Sequence, residues 1–543
     1  MIQHIRWQVV VILVGALLVG SFLVYLAFTR TTVLVPERGG TYVEGLAGCP
    51  RCINPILCQY NDVDQDLVAL VFNGLTKAGK ENKIIHDLAE SWEISEDGLV
   101  YTFHLRHDIR WHDGLPFTAE DVVFTAEAMQ DPHYQGVSYL GALWRSVRAK
   151  KIDDYTVEFI LKEPFAPFLE YTTIGILPAH LLAGVSAEDL PEHEFNRKPM
   201  GTGPFRVKEL TEEHIVLEAN PYFYGPKPYL SKIEFKLYPS YEEVYSAYER
   251  GEIEGIGRVQ PEDVPRLASE SQLNLLSAPL SGYAIVFLNL DNPRVPFFQE
   301  KEIRQALLYG LDRQGIIDRD LKGYGLVAHS PIMPQSWAYY EGVTKYDYDP
   351  ERASALLEEA GWRLRGDARE KDGIRLEFIL LSDGDPRRAK LAEDLARQWE
   401  EIGVKAVPQV SSVGDALRSH RFEAALVNLT ILPDPDLYPF WHQTQIERGQ
   451  NYACFDNREA SELLEEARRT TEQGRRVELY RSFQEIFAEE VPSLLLYYPV
   501  YIYAIDEKVK GVQVEAAINP SDRFRGIVRW YIATKRVLVS QAK

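Results

Sequence analysis

Leu99, Tyr101, Phe103 and Leu105 alternate with Val100, Thr102, His104 and Arg106, and a repeat of two marks a half-buried strand. Ser95-Glu96-Asp97-Gly98 precedes it as a turn, because glycine accepts positive φ and aspartate bonds its own backbone. Thr118, followed three residues later by Asp121, predicts a helix start. Gly39–Gly45 reads as an early strand, Leu67–Leu75 as a helix ending at Asn73-Gly74, and Ile233, Phe235 and Leu237 as one face of another strand. Ile303, Ala306, Leu307 and Gly310 recur at helical spacing, so a helix over Lys301–Leu311 buries one face. Further strands are expected over 285–290, 376–381, 424–429, 494–504 and 530–533, with a helix over 389–401. Trp92, Trp111, His112 and Asp113 read as packing and turn residues.

Val9 to Phe28 carries no charge, long enough to cross a bilayer as a helix. His4 and Arg6 precede it, and no clean small-x-small cleavage site surrounds Ala27-Phe28-Thr29, so an uncleaved anchor is favoured over a secretory signal. No cysteine follows closely enough for lipid attachment. Thr31 to Arg38 then forms a short tether, and everything after Gly39 lies outside the cytoplasm.

At 543 residues, and about 150 residues per domain, the chain predicts three or more lobes. A formal charge of -21 argues against nucleic acid or anionic lipid as partner, since an acidic surface repels both. A neutral or cationic ligand fits that field better. Four cysteines allow up to two bridges in an exported chain. A bridge within the Cys49, Cys52, Cys58 cluster is the simplest reading, with Cys454 a possible partner and the pairing open.

Motifs for chemistry fail when tested. Cys49-Pro50-Arg51-Cys52 has no second CxxC or histidine pair, so no metal site is expected. His193-Glu194 has Arg197 where a zinc helix needs histidine. Asp62, Asp64 and Asp66 open like a calcium loop, but Leu67 stands at its turn glycine, leaving a solvated helix start. Gly201-Thr202-Gly203 has Arg206 where a dinucleotide loop wants glycine. No cofactor is called for, and nothing marks an enzyme.

Glu90-Ser91-Trp92 through Phe124-Thr125, Val71–Thr76, Gly201–Phe205, Asn220-Pro221-Tyr222 and Phe287–Pro293 with Ile303–Arg313 together carry a resemblance. The chain resembles the extracellular solute-binding proteins of ABC importers, in the class that takes dipeptides, oligopeptides, nickel complexes and some oligosaccharides. The resemblance implies an α/β, two-lobed periplasmic-binding-protein-like fold (type II, class C) with mixed sheets and an extra accessory lobe, here preceded by one N-terminal transmembrane helix. It implies a first lobe over 39–59, 203–282 and 496–535, an accessory lobe over 60–202 and a second lobe over 283–495. It also implies a monomer that clamps a small solute, foremost a peptide, closes about strands near Tyr283 and Tyr497, and delivers to ABC permease subunits with cytoplasmic ATPases. An oligosaccharide ligand, a metal chelate, or a ligand sensor or chaperone uncoupled from transport are the alternatives.

Aromatic walls supply area at low entropy cost, and Trp337, Tyr339, Trp441, Tyr452 and Phe455 are candidates. The candidate ligand-binding set is Glu44, Cys49, Asn289, Trp337, Asp434, Asp436, Trp441 and Tyr452. Asp434-Pro435-Asp436 follows a strand, where both aspartates either build a turn or face a ligand ammonium or hydroxyl. Peptide-binding members place a carboxylate just before this turn, whereas Ile431 or Leu432 stands there in this chain. An apolar side chain cannot form that charge-assisted bond.

Overall fold

The computed structural model describes residues 13–23, 25, 31–57, 61–79, 83–515 and 517–538. One 14-residue strand, Ser493–Asp506, joins two half-sheets into a 12-stranded whole. Its first half pairs antiparallel with Gly282–Leu288 and Gly325–Val327, its second half with Leu273–Pro279 and Gly255–Ile256. Leu494, Leu495, Leu496, Tyr501, Ile502 and Tyr503 are all buried, an unbroken apolar run suited to a central strand covered on both faces. The partner changes at Pro499, which has no N–H to continue a ladder.

In the Gly282–Leu288 half, Glu377–Ser382 runs parallel to Lys405–Val410 and Ala424–Thr430, and the helix Pro386–Glu401 provides the crossover that parallel pairing requires. Ile303, Leu307, Leu395 and Trp399 cover one face, and Trp441, Tyr480, Phe483 and Phe487 the other. In the other half Thr41–Ala47 lies parallel to Lys232–Tyr238, backed by Val244, Tyr245 and Leu267. A separate four-stranded antiparallel sheet, Ala89–Ile94, Val100–Leu105, Thr156–Leu161 and Val147–Asp153, shares one core with this half, from Tyr42 and Phe235 to Phe103 and Phe159.

The local signals hold where they were strongest. Tyr101, Phe103 and Leu105 point inward, Asp97 accepts from Leu99 N–H, and Gly98 takes φ +69°. Asp121 accepts from Thr118 N–H at 2.9 Å to start Ala119–Gln130, and also from Trp111 Nε1 and Ala179 N–H.

Four expectations change. The helix expected from Leu67 begins at Asp62, capped by Asn61, and its aspartates are not a solvated start: Asp64 and Asp66 are buried. The helix expected from Ala389 begins at Pro386, capped by Asp385. Residues 530–533 form no strand; Trp530 is buried and the strand comes later, at Thr534–Leu538. The tether is not a free linker, because Thr32–Pro36 pairs antiparallel with Thr534–Leu538. Cys52 is in a disulfide, while Cys49 and Cys454 are free thiols.

Cys58, Tyr60 and much of the apolar stretch Val9–Phe28 lie outside the described residues. Among the described residues, no helix is long and apolar enough to cross a membrane.

Candidate functional site

A cavity of about 540 Å³ opens where the shared strand changes partners, within the roughly 300–1,000 Å³ usual for small-ligand clefts. Tyr497, Pro499, Val500 and Tyr501 form its back. Arg258 to Glu262 line it from the Thr41–Ala47 half, and Asp385 to Arg388 with Asn428 from the other. The shared strand and both half-sheets therefore meet at one cavity.

The Pro386–Glu401 helix sets its charged wall. Asp385 caps the helix by accepting from Arg387 N–H at 2.8 Å, and Pro386 follows where a missing N–H costs nothing. The next two residues, Arg387 and Arg388, thus fall in the first turn beside the cavity. Arg388 pairs with Asp383 at 2.7 Å, and Arg387 pairs with Asp385 at 3.2 Å while also reaching Gln260 of the opposite lobe. Burial alone would raise Asp385; the hydrogen bonds and charge of Arg387 prevail and hold its carboxyl below the ordinary value. Across the cavity Arg258 pairs with Asp62 at 2.9 Å. Apolar Leu280, Ile316 and Ile502 also line the cavity. Such a lining offers apolar walls with cations and anions at fixed places, which suits a flexible molecule carrying both charges and amides.

None of the eight candidate residues lines this cavity. Glu44 is sealed inside the Thr41–Ala47 half, where it accepts from Arg523 Nε at 3.2 Å, Tyr42 at 2.5 Å and Tyr503 at 2.9 Å. Cys49 is exposed. Asn289 is buried and donates to the carbonyls of His420 and Phe422, each at 3.0 Å, pinning a loop. Trp441 is buried against Phe487, and Tyr452 packs edge-on to Phe287 with ring centres 5.5 Å apart. Asp434 accepts two contacts from Arg476, at 2.7 and 2.6 Å, and the same guanidinium lies 5.0 Å from the centre of the Trp337 ring. Asp436 pairs with Arg468 at 3.2 Å. Among the buried ones, Glu44, Asn289 and Asp434 have their polar atoms engaged by these partners, whereas Asp436 Oδ2 and Trp441 Nε1 make no hydrogen bond to the described residues.

Arg387, Arg388 and Gln260 are cavity residues that sequence reasoning passed over, whereas Tyr497 was expected at the closure strands. A signal existed for two of them: Asp385-Pro386 is a cap followed by an N1 proline, and reading it so moves the helix start three residues back, onto the arginines.

Residues 83–450 match the bacterial extracellular solute-binding proteins, family 5. The chain belongs to that family. It is 30% identical to the oligopeptide-binding protein AppA of Bacillus subtilis over 92% of both chains, and 28% identical to the dipeptide-binding protein of Escherichia coli, covering 90% of this chain and 95% of that one. The solved structure of the B. subtilis protein in complex with a nonapeptide superposes with a TM-score of 0.77, over 92% of this chain and all of that one. As a family member the chain is an extracytoplasmic binding protein and not an enzyme.

Proposed function

We propose that this family 5 protein captures a peptide in the cavity at Tyr497–Tyr501 and delivers it to an ABC permease. The observation that carries this reading is the cavity itself, formed jointly by both half-sheets at their shared strand. A ligand touching both sides gains contacts that exist in the closed arrangement alone, and that differential is what drives closure. Tyrosine and aliphatic walls take side chains of varied shape, while Arg387, Arg388 and Glu262 face the termini and amides of a main chain. Kinship to proteins named for oligopeptide and dipeptide binding supports the same ligand class. In this reading the lobes run over 39–59, 203–282 and 496–535, over 60–202 and over 283–495. The N-terminal apolar stretch tethers the chain to the membrane, and the working unit is a monomer.

The test is to purify the full chain in mild detergent, denature it and identify released small molecules by mass spectrometry, then titrate the refolded protein with defined peptides by calorimetry. Co-purified short peptides and saturable binding are expected. Release of a sugar, with no heat from any peptide, would remove the peptide assignment.

A further inference from the structure

The Asp434-Pro435-Asp436 loop makes a second connection between the lobes, away from the cavity. Its partner is the segment Glu163–Glu170, which follows the four-stranded sheet. Ala166 N–H donates to the carbonyl of Arg468 at 2.8 Å, and Glu163 pairs with Arg469 at 2.9 Å. The guanidinium of Arg468 is layered between rings from the two sides, 4.7 Å from the centre of Phe165 and 4.4 Å from that of Tyr438, while it holds Asp436. Such stacking is favourable where the cation is partly desolvated. Tyr101 fixes the segment from behind by donating to the Phe165 carbonyl at 3.2 Å. Leu432, just ahead of the loop, packs onto the core that contains Tyr101 and Phe165. The turn at Gly98 abuts Thr471, at the end of the same arginine-bearing helix, Arg458–Arg469.

We propose that this loop and the Arg468-Arg469 helix end form a docking face for the Glu163–Glu170 segment, an interlobe latch that steadies the closed cleft and leaves both aspartates unavailable to a cationic solute. None of its residues lines the cavity, so the latch acts on the closing equilibrium and not through ligand contact. Its meaning for capture rests on the two-lobe reading above, but its existence is measurable without any ligand.

Glu170 gives the latch a pH signature. Burial first, and the charge of Asp434 second, raise its carboxyl to about 8, against opposing pulls from Arg525 and Arg476. Asp436 and Arg468 complete the charges around the loop. A carboxyl that is raised on docking binds its proton more tightly in the docked state. Docking is therefore favoured at low pH and weakens as pH rises from about 4.5 to about 8, by up to tenfold per pH unit, then levels off.

Hydrogen exchange of the full chain, without added solute, tests this at the Ala166 amide, with amides of Val100–Leu105 as a folding control. The wild-type protection factor at Ala166 is expected to fall between pH 5 and pH 8 while the control amides hold. Glu170→Gln should flatten that slope, and the double variant Glu163→Gln with Arg469→Gln should lower protection at every pH. An Ala166 amide whose protection ignores both pH and these variants would overturn the latch. Failure of peptide binding would not touch it.

Discussion

Arg523 and Asp66 stand 457 positions apart in the chain and meet through contacts of 2.7 and 2.6 Å from which solvent is excluded. The same guanidinium reaches Glu44. Three charges are thus buried together, with Tyr42 and Tyr503 donating to Glu44 as well. This cluster ties the C-terminal turn Pro520–Arg529 to the first strand and to the helix Asp62–Val71.

Replacing the cation should therefore hurt more than replacing either anion. Arg523→Met leaves two buried carboxylates unpaired and should cost about 3–5 kcal/mol in urea unfolding. Glu44→Gln keeps the Arg523–Asp66 pair and should cost less. An Arg523→Met variant as stable as wild type would show that the cluster relaxes without its centre.

His112 should make stability fall on acidification. It is buried, accepts from Gly201 N–H at Nδ1 and faces the Gly203 carbonyl through Nε2, both at 3.2 Å. Burial lowers its pKa to about 4, from an unfolded value near 6.5. The folded state thus refuses a proton that the unfolded chain accepts. Its contribution is intact above about pH 6.5 and is lost as pH falls toward 4, amounting to about 2 kcal/mol by pH 5. Urea midpoints of wild type and His112→Gln at pH 7 and pH 5 should differ in slope, the variant being flatter.

Ligand affinity and stability should separate between the cavity and the sealed positions. Arg387→Ala removes a cavity cation and its interlobe contact to Gln260, and is expected to weaken peptide binding about tenfold with little change in unfolding. Asn289→Ala strands two carbonyls and should cost about 1–3 kcal/mol of stability while sparing affinity. Calorimetry and urea unfolding on both variants read the two quantities independently. The reverse pattern would move the site from Tyr497–Tyr501 to the neighbourhood of Asn289.

The alternating Tyr101, Phe103 and Leu105, the Thr118–Asp121 start and the Ile303–Leu307 face were legible because each depends on residues within one or two turns of each other. Family membership was legible for a related reason: long runs such as Glu90–Thr125 and Phe287–Pro293 are local text. Aspartates were another matter. Asp66, Asp385 and Asp434 look alike in sequence, yet one is sealed against Arg523, one caps a helix at the cavity and one is clasped by Arg476.

The amino-acid sequence by itself determined the class of fold, the main strands and helices and the kinship to solute-binding proteins, since periodicity, caps and turns act over a few residues. Tertiary structure alone decided which polar groups line the cavity and which are closed off. The physical reason is that a charge takes its role from its nearest opposite charge and its access to water. For Glu44 and Asp434 the partners Arg523 and Arg476 arrive from other segments that adjoin only once the chain has folded, and Arg387, whose opposite charge Asp385 is local, gains the Gln260 amide of the opposite half in the same way.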